Sequence, residues 1–284
     1  MKSVFMGAAA VLALATAAHA ESTTTTSGYV EGSYTRPDIG VNGVGSKAID
    51  VWSLKGAVAA PLSGNIGGQF DADVGDYRYG AAGFGSDNRA VFTPTGHIFY
   101  RNDQYTGGAF LGIETAKGVT AVGGGFEGQY YVNPKFDLDS AVGYAGVTNT
   151  DEHIFGIRVG GKYFVTDNFT VGAKVNYARF SENGFGNQDL WTYGVKGQYQ
   201  LKTLPVAVSL GYERGDLQGT GVHADTLKVG ISWAFGGGSL HDRDRHGASL
   251  DSASETFGGE FGKTILGASS SFFGGNNNNN NNAD

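Results

Sequence analysis

Twelve charged residues occupy positions that share one face of extended segments, and ionic interaction is the chemistry that they offer. In each segment large apolar residues alternate with polar or small ones, so the charged side chains point away from the apolar face. The acids are Asp71, Asp73, Glu127, Asp137, Asp139 and Glu213, and the bases are Lys55, Arg158, Lys162, Lys174, Lys196 and Lys228. Most of the acids come from earlier segments than most of the bases. A closed sheet would therefore have one mainly negative and one mainly positive inner wall.

No set of residues in the sequence has the pattern of a catalytic, cofactor-binding or metal-binding site. The run 123–128 (GGGFEG) has the spacing of a dinucleotide-binding fingerprint, but it lies within an extended segment instead of opening a helix. His97, His153 and His223 have no serine placed beside them by any pattern, and the chain has no cysteine. The His/Asp/Arg run 241–246 fits a solvated charged stretch better than a metal site. We therefore expect no catalytic residue, no cofactor and no metal.

The segment 226–235 shows the alternation most clearly. Leu227, Val229, Ile231, Trp233 and Phe235 point to one side, and polar or small residues point to the other. Eight further segments repeat this pattern over about ten residues each, the length that a membrane barrel strand requires. Three more segments, at 29–35, 95–101 and 108–115, are extended, but their sequences do not decide which side chains face inward. The sequence thus predicts about twelve antiparallel strands, and bacterial barrels have an even number.

The connections between these segments also alternate. Tight turns are predicted at 61–64, 133–135, 166–168 and 203–204, and longer linkers at 36–46, 76–92, 181–188 and 216–222. Short periplasmic turns and longer extracellular loops are typical of outer-membrane barrels. Aromatic residues cluster near the expected strand ends, where rings with polar tips prefer the lipid headgroups.

The first twenty residues have the features of a secretory signal peptide. Lys2 is followed by an apolar run, and Ala18 and Ala20 place small residues at the cleavage positions, so residues 1–20 are expected to be removed. No later apolar run is long enough for a helical span. The remaining structure that satisfies its backbone within lipid is a closed barrel. We predict an all-β, up-and-down transmembrane barrel over residues 21–235.

The segment 227–235 resembles the last strand of Gram-negative outer-membrane proteins, which alternates apolar residues and closes on an aromatic. That resemblance implies that Leu227, Val229, Ile231, Trp233 and Phe235 form a signal for the barrel assembly machinery. Over about residues 28–235 the chain is similar in pattern to proteobacterial porin-like proteins. The resemblance implies a place in the outer-membrane lipid. Members of those families usually end at the aromatic, whereas this chain continues to Asp284.

Residues 236–284 have a different composition. Glycine, serine and the asparagine run 276–282 dominate, which predicts a disordered, low-complexity tail in the periplasm. Phe257, Phe261, Ile265, Phe272 and Phe273 are scattered apolar residues, and the sequence leaves open whether they dock on the barrel mouth or on a partner.

The predicted function is passive passage of small polar solutes or ions through the barrel, lined by the twelve charged residues. The alternative is a closed structural or adhesin-type barrel that acts through its loops, with the opposing charges paired across the interior. The net charge of −7 argues against nucleic acid as a partner. The oligomeric state stays open.

Overall fold

The structure, a computed structural model, describes residues 24–79, 88–116, 118–182 and 186–272. The expected signal peptide and the asparagine run lie outside these residues. The strands are β1 (Ser27–Val41), β2 (Gly45–Ala48), β3 (Asp50–Ser63), β4 (Ile66–Arg78), β5 (Asn88–Arg101), β6 (Tyr105–Ala116), β7 (Val119–Asn133), β8 (Phe136–Val147), β9 (His153–Thr166), β10 (Phe169–Glu182), β11 (Gly186–Gln200), β12 (Val206–Leu217) and β13 (Val222–Phe235).

Twelve of these strands form a closed antiparallel barrel. Strands β3 to β13 pair in chain order, β3 pairs with β1, and β1 pairs with β13 from Gly28 opposite Phe235 to Val41 opposite Val222. The short β2 pairs only with β1 and lies outside the ring. The predicted twelve-stranded up-and-down barrel is confirmed, and β1, β5 and β6 are the three strands whose faces the sequence left open.

The outer surface of the barrel is apolar. Large hydrophobic side chains stand exposed on strand after strand, for example Val195 at 57%, Leu210 at 57% and Ile231 at 60%. A band of this extent is unfavourable in water, and a closed barrel leaves no strand edge unpaired in lipid. The barrel therefore spans a membrane through its strands. Within the described ranges, no helix is long and apolar enough to cross a membrane.

The two ends of the barrel differ, although less than the sequence predicts. At the short-turn end, which holds Gly28 and Phe235, one turn connects β7 to β8 through Pro134 and Lys135 alone. At the opposite end, called here the loop end, most residues of the predicted linker 36–46 belong to strands, and the linker 216–222 shortens to the turn 218–221. The barrel strands have 12 to 15 residues, more than the ~9–11 that cross a bilayer, so they extend beyond the lipid.

Three outward-facing clusters near the loop end share one arrangement. A tyrosine and the arginine two residues later on one strand both contact an aspartate on the next strand. The clusters are Tyr34 and Arg36 with Asp50, Tyr177 and Arg179 with Asp189, and Tyr212 and Arg214 with Asp225. Charged groups are costly within hydrocarbon, so these clusters mark where lipid tails give way to headgroups.

The C-terminal segment, residues 236–272, differs from the disordered periplasmic tail that its composition predicts. It contains the helices α1 (Leu240–His246), α2 (Ala253–Thr256) and α3 (Gly259–Phe272). Ser239 and Asp242 form a capping box at the start of α1. The backbone N–H and the hydroxyl of Ser239 donate to Asp242 and hold the pKa of that carboxyl below its ordinary value.

Candidate functional site

A row of alternating lysine and glycine crosses five neighbouring strands on the inner face of the barrel. Lys162 pairs with Gly172, Gly172 with Lys196, Lys196 with Gly211, and Gly211 with Lys228. Strands lie ~4.8 Å apart, so successive lysines of the row are about 10 Å apart at their Cα atoms. The glycines between them leave space for the long side chains. The inner wall formed by β9 to β13 therefore presents a ladder of positive charge.

A second row, one step closer to the loop end, alternates charge with glycine in the same way. Asp139, Gly160, Lys174, Gly194 and Glu213 follow one another across β8 to β12. Lys174 Nζ reaches over Gly194 to within 3.0 Å of Glu213 Oε2. A Cβ on Gly194 would lie 2.9 Å from Lys174 Cε, so glycine is what allows the lysine to cross its neighbour.

The structure places all twelve predicted charged residues on the inner face. Nine of them line a cavity of about 280 Å³: Lys55, Glu127, Asp139, Arg158, Lys162, Lys174, Lys196, Glu213 and Lys228. The other three, Asp71, Asp73 and Asp137, are buried and bond to His97 or to the C-terminal segment. The acids and bases do not simply face one another across water, because the C-terminal segment lies between the two walls.

Four carboxylates of the C-terminal segment pair with four cations of the basic wall. The pairs are Asp244 with Lys162, Asp251 with Arg158, Glu255 with Lys174, and Glu260 with Lys228. Lys228 Nζ donates to Glu260 Oε1 at 2.9 Å. The order of acids along the segment thus follows the arrangement of cations on the wall.

Two cations of the same segment pair with the acidic wall. Arg245 contacts Asp137 on β8, and Lys263 Nζ donates to Asp73 Oδ2 on β4 at 2.8 Å. The segment therefore matches both walls, with its acids on the basic side and its bases on the acidic side.

Hydrogen bonds to the backbone fix the segment along its length. Arg101 donates to Gly247 O at 2.9 Å, and Gln69 donates to Leu250 O at 2.7 Å. Glu213 accepts from the backbone N–H groups of Glu260 and Phe261, at 3.0 and 3.3 Å, and so satisfies the first turn of α3.

The segment runs from the short-turn end to the loop end. His241 N donates to Asp167 O in a short turn, whereas Tyr79 OH, just past the end of β4, donates to Thr264 O. At the loop end Phe261 is buried at 1% exposure in an apolar cluster with Leu190 and other wall residues. Phe257 and Ile265 pack against the same cluster. The sequence left open the barrel mouth and a partner, and the structure places Phe257, Phe261 and Ile265 inside the barrel near its loop end, whereas Phe273 lies outside the described residues.

A buried histidine between two acids lies beneath the segment, and the sequence gave no signal for it. His97 Nε2 lies 2.8 Å from Asp71 Oδ2, and His97 Nδ1 lies 2.5 Å from Glu127 Oε1. Both ring nitrogens face acceptors, which a protonated imidazole satisfies with two donors. The three residues stand on β4, β5 and β7, so no local motif could have joined them. Both ring nitrogens of His97 are thus engaged by carboxylates of the wall.

In the described residues three cations, Lys55, Lys196 and Arg243, face the cavity without an ion pair to an acid. Within the part of the chain that the structure describes, no ion pair involves Lys196 of β11 or Arg243 of α1, and both line the cavity. Lys55 contacts only a hydroxyl, Ser252 Oγ, at 3.3 Å. The space that the segment leaves open is therefore polar and carries unpaired positive charge. Among the same described residues no group of three His, Asp or Glu side chains is placed to hold a metal ion.

The five residues of the predicted assembly signal lie on β13, beside the seam with β1. Leu227, Val229, Ile231 and Trp233 face outward with 47–60% exposure. The ring of Phe235 covers Gly28, where a Cβ would collide with it. The last strand thus presents its apolar face to lipid and closes the ring with an aromatic.

The fold is similar to that of a solved outer-membrane channel. The COG4313 outer membrane channel from Pseudomonas putida F1 superposes with a TM-score of 0.60 at 13% identity, covering 78% of this chain and 98% of that chain. The KdgM porin in complex with disordered oligogalacturonate gives a TM-score of 0.48 at 11% identity, covering 72% and 99%. No protein-family model matches the sequence, and no curated protein matches it. The chain has the fold of an outer-membrane barrel.

Proposed function

We propose that this protein is a porin-like channel of the outer membrane, through which small hydrophilic solutes diffuse passively. The observation that carries the proposal is the inner wall of the barrel, where glycines separate Lys162, Lys196 and Lys228 in a ladder of charge. A wall of this kind suits water and ions, and lysine side chains that can swing aside do not fill a barrel.

The width of the barrel fits this role. Twelve strands at ~4.8 Å spacing and ~40° tilt give a backbone radius of about 12 Å, and inward side chains leave a passage on the order of 14 Å across at most. Eight-stranded barrels have interiors filled by side chains, and barrels of 16 to 18 strands leave an aqueous channel. Twelve strands therefore suit small solutes. The same wall supports a non-enzymatic role, because in the described residues most of its charges pair with one another or with the C-terminal segment.

The closed barrel that acts through its loops is the second candidate, and one observation favours it. The C-terminal segment occupies the lumen and leaves a cavity of only about 280 Å³. A barrel that is filled permanently would conduct nothing, and its contribution would come from its outer and loop-end surfaces.

Single-channel recording in a planar bilayer separates the two candidates. We expect discrete conductance steps from folded barrel whose C-terminal segment has been released from the wall. A heat-modifiable, fully folded barrel that stays silent over many insertions, with the segment bound and with it released, would overturn the channel and favour the closed barrel.

A further inference from the structure

Ion pairs form a large part of the attachment of the C-terminal segment to the wall. Six ion pairs join the segment to the barrel along its length. Its apolar contacts form one cluster at the loop end around Phe261 and smaller ones at Leu240, Leu250 and Ala253. Ion pairs removed from water recover much less than their Coulomb attraction, because both partners lose hydration. A segment held in this way is bound more weakly than an apolar core of the same size.

The interface also leaves buried polar atoms without partners. In the described residues these include Asp73 Oδ1, Asp137 Oδ2 and Arg158 Nε on the wall, and Asp244 Oδ2 and Arg245 Nε on the segment. Native cores leave few such atoms, since each one costs desolvation without return. At the interface these atoms leave part of the polar surface unsatisfied, which lowers the cost of separating the segment from the wall.

A glycine hinge connects the segment to the barrel. Gly236, Gly237 and Gly238 follow β13 directly and have φ values of +88°, +80° and +86°. Residues with a side chain rarely adopt backbone angles in this left-handed region, whereas glycine adopts them without steric cost. Three consecutive glycines allow the chain to turn sharply from the end of β13 into the lumen, and they allow the opposite movement at the short-turn end.

We propose that residues 239–265 are an autoinhibitory plug, which closes the channel while its ion pairs with the wall are intact and leaves the lumen as a unit on the Gly236–Gly238 hinge when they are broken. This inference rests on the proposed channel function. It makes the open state depend on charge: once the pairs are separated in the wet lumen, salt screens the attraction that would bring them together again, beyond ~8 Å at physiological ionic strength and beyond shorter distances at higher salt, and so favours the open state.

The test uses the full-length chain. A release variant carries Asp244→Asn, Asp251→Asn, Glu255→Gln and Glu260→Gln, which neutralise the acids facing the basic wall without changing the barrel. Its matched control carries Asp38→Asn, Asp103→Asn, Asp151→Asn and Asp167→Asn, four acids that are exposed outside the lumen. Planar-bilayer recordings at low and high salt are compared for the wild type, the release variant and the control.

An engineered disulfide tests the opposite change, because it holds the C-terminal segment in the lumen. The chain has no cysteine, and a Cβ on Gly215 would lie 3.0 Å from Phe261 Cβ. Disulfides need about 3.5–4.5 Å, so a shift of half an ångström allows Gly215→Cys and Phe261→Cys to join. Added to the release variant, this pair locks the segment to β12 until a reductant is supplied.

We expect the wild type and the control to be closed at low salt and to open more often at high salt. The release variant should conduct steadily, the locked variant should be closed, and reduction should restore its conductance. Equal conductance of the wild type, the release variant and the locked variant would overturn the proposal of a plug, while the proposal of a channel would still hold. Silence of all variants, with folded barrels, would overturn the channel itself. The release variant could instead be as closed as the wild type while a variant ending at Gly238 conducts. That result would show a plug that is not held by its ion pairs, and would overturn the proposed dependence on charge.

Discussion

Lys263 of α3 and Asp73 of β4 form an ion pair across 190 positions of sequence, with Nζ donating to Oδ2 at 2.8 Å. Their side chains are only 4% and 7% exposed. Removing one partner of a buried pair strands the other charge and typically costs ~3–5 kcal/mol, whereas removing both costs less. The pair is therefore the most sensitive point at which to test whether the C-terminal segment is bound inside the barrel.

Lys263→Met should loosen the segment and expose Arg243 and Arg245 to trypsin, because Asp73 is left charged and unpaired. The double variant Lys263→Met with Asp73→Asn should recover much of the resistance. Mass spectrometry of limited digests of the reconstituted protein measures the cleavage rate. Equal protection in the wild type and both variants would contradict the placement of Lys263.

Val229→Arg should destabilise the barrel by about 2–4 kcal/mol, because Val229 faces lipid with 47% of its surface exposed. Lys196→Gln is the control, since Lys196 points to the opposite, lumen-facing side of the wall and has no ion pair in the described residues. We expect it to cost much less than Val229→Arg. Equilibrium unfolding in urea with the barrel in lipid vesicles measures both. Equal tolerance at the two positions would argue against a membrane barrel.

Phe235→Ser should reduce the amount of folded barrel in the outer membrane, because the ring covers Gly28 at the seam between β1 and β13. Leu204→Ser, in an exposed turn, is the control and should assemble normally. The heat-modifiable fraction in isolated outer membranes is the readout. Loss of assembly in a variant ending at Gly238, with normal assembly of Phe235→Ser, would show that the signal lies in the C-terminal segment.

Lys196→Glu should shift the ion selectivity of the released channel toward cations, more strongly at low salt than at high salt. Lys196 has no ion pair in the described residues, so the substitution breaks no salt bridge and its effect is on the passage alone. Lys202→Glu, in the turn after β11, is the control. Reversal potentials in a salt gradient give the selectivity. An unchanged reversal potential at low salt would exclude Lys196 from the path of the ions.

The barrel was predictable from the sequence because its signal is local. Alternation of apolar and polar residues at a period of two fixes the face of each side chain, so even the inner position of Lys174 follows from its neighbours Ala173 and Val175. The strand ends were less predictable, since residues 36–41 and 216–217 mix charged with apolar residues and extend strands beyond the lipid, where the outward side chains need not be apolar.

The C-terminal segment was not predictable from its composition. Its order comes from charges on β4, β8, β9, β10 and β13, which the closed barrel brings together, and a sequence pattern within the segment does not contain them. Two local signals were nevertheless present. Ser239 and Asp242 have the spacing of a capping box, and Phe257, Phe261 and Ile265 recur every four residues as on one face of a helix. The His97 cluster gave no such signal.

The most direct measurement of the central claim, that the C-terminal segment lies within the lumen, is disulfide formation in cells. Full-length protein with Gly215→Cys and Phe261→Cys, in outer membranes isolated without reductant, should show a cross-link as a reductant-sensitive shift in gel mobility of the denatured chain. The pair Lys202→Cys and Phe261→Cys, at opposite ends of the barrel, should form none. A first pair that stays reduced in a correctly folded barrel would place the segment outside the lumen and contradict the account.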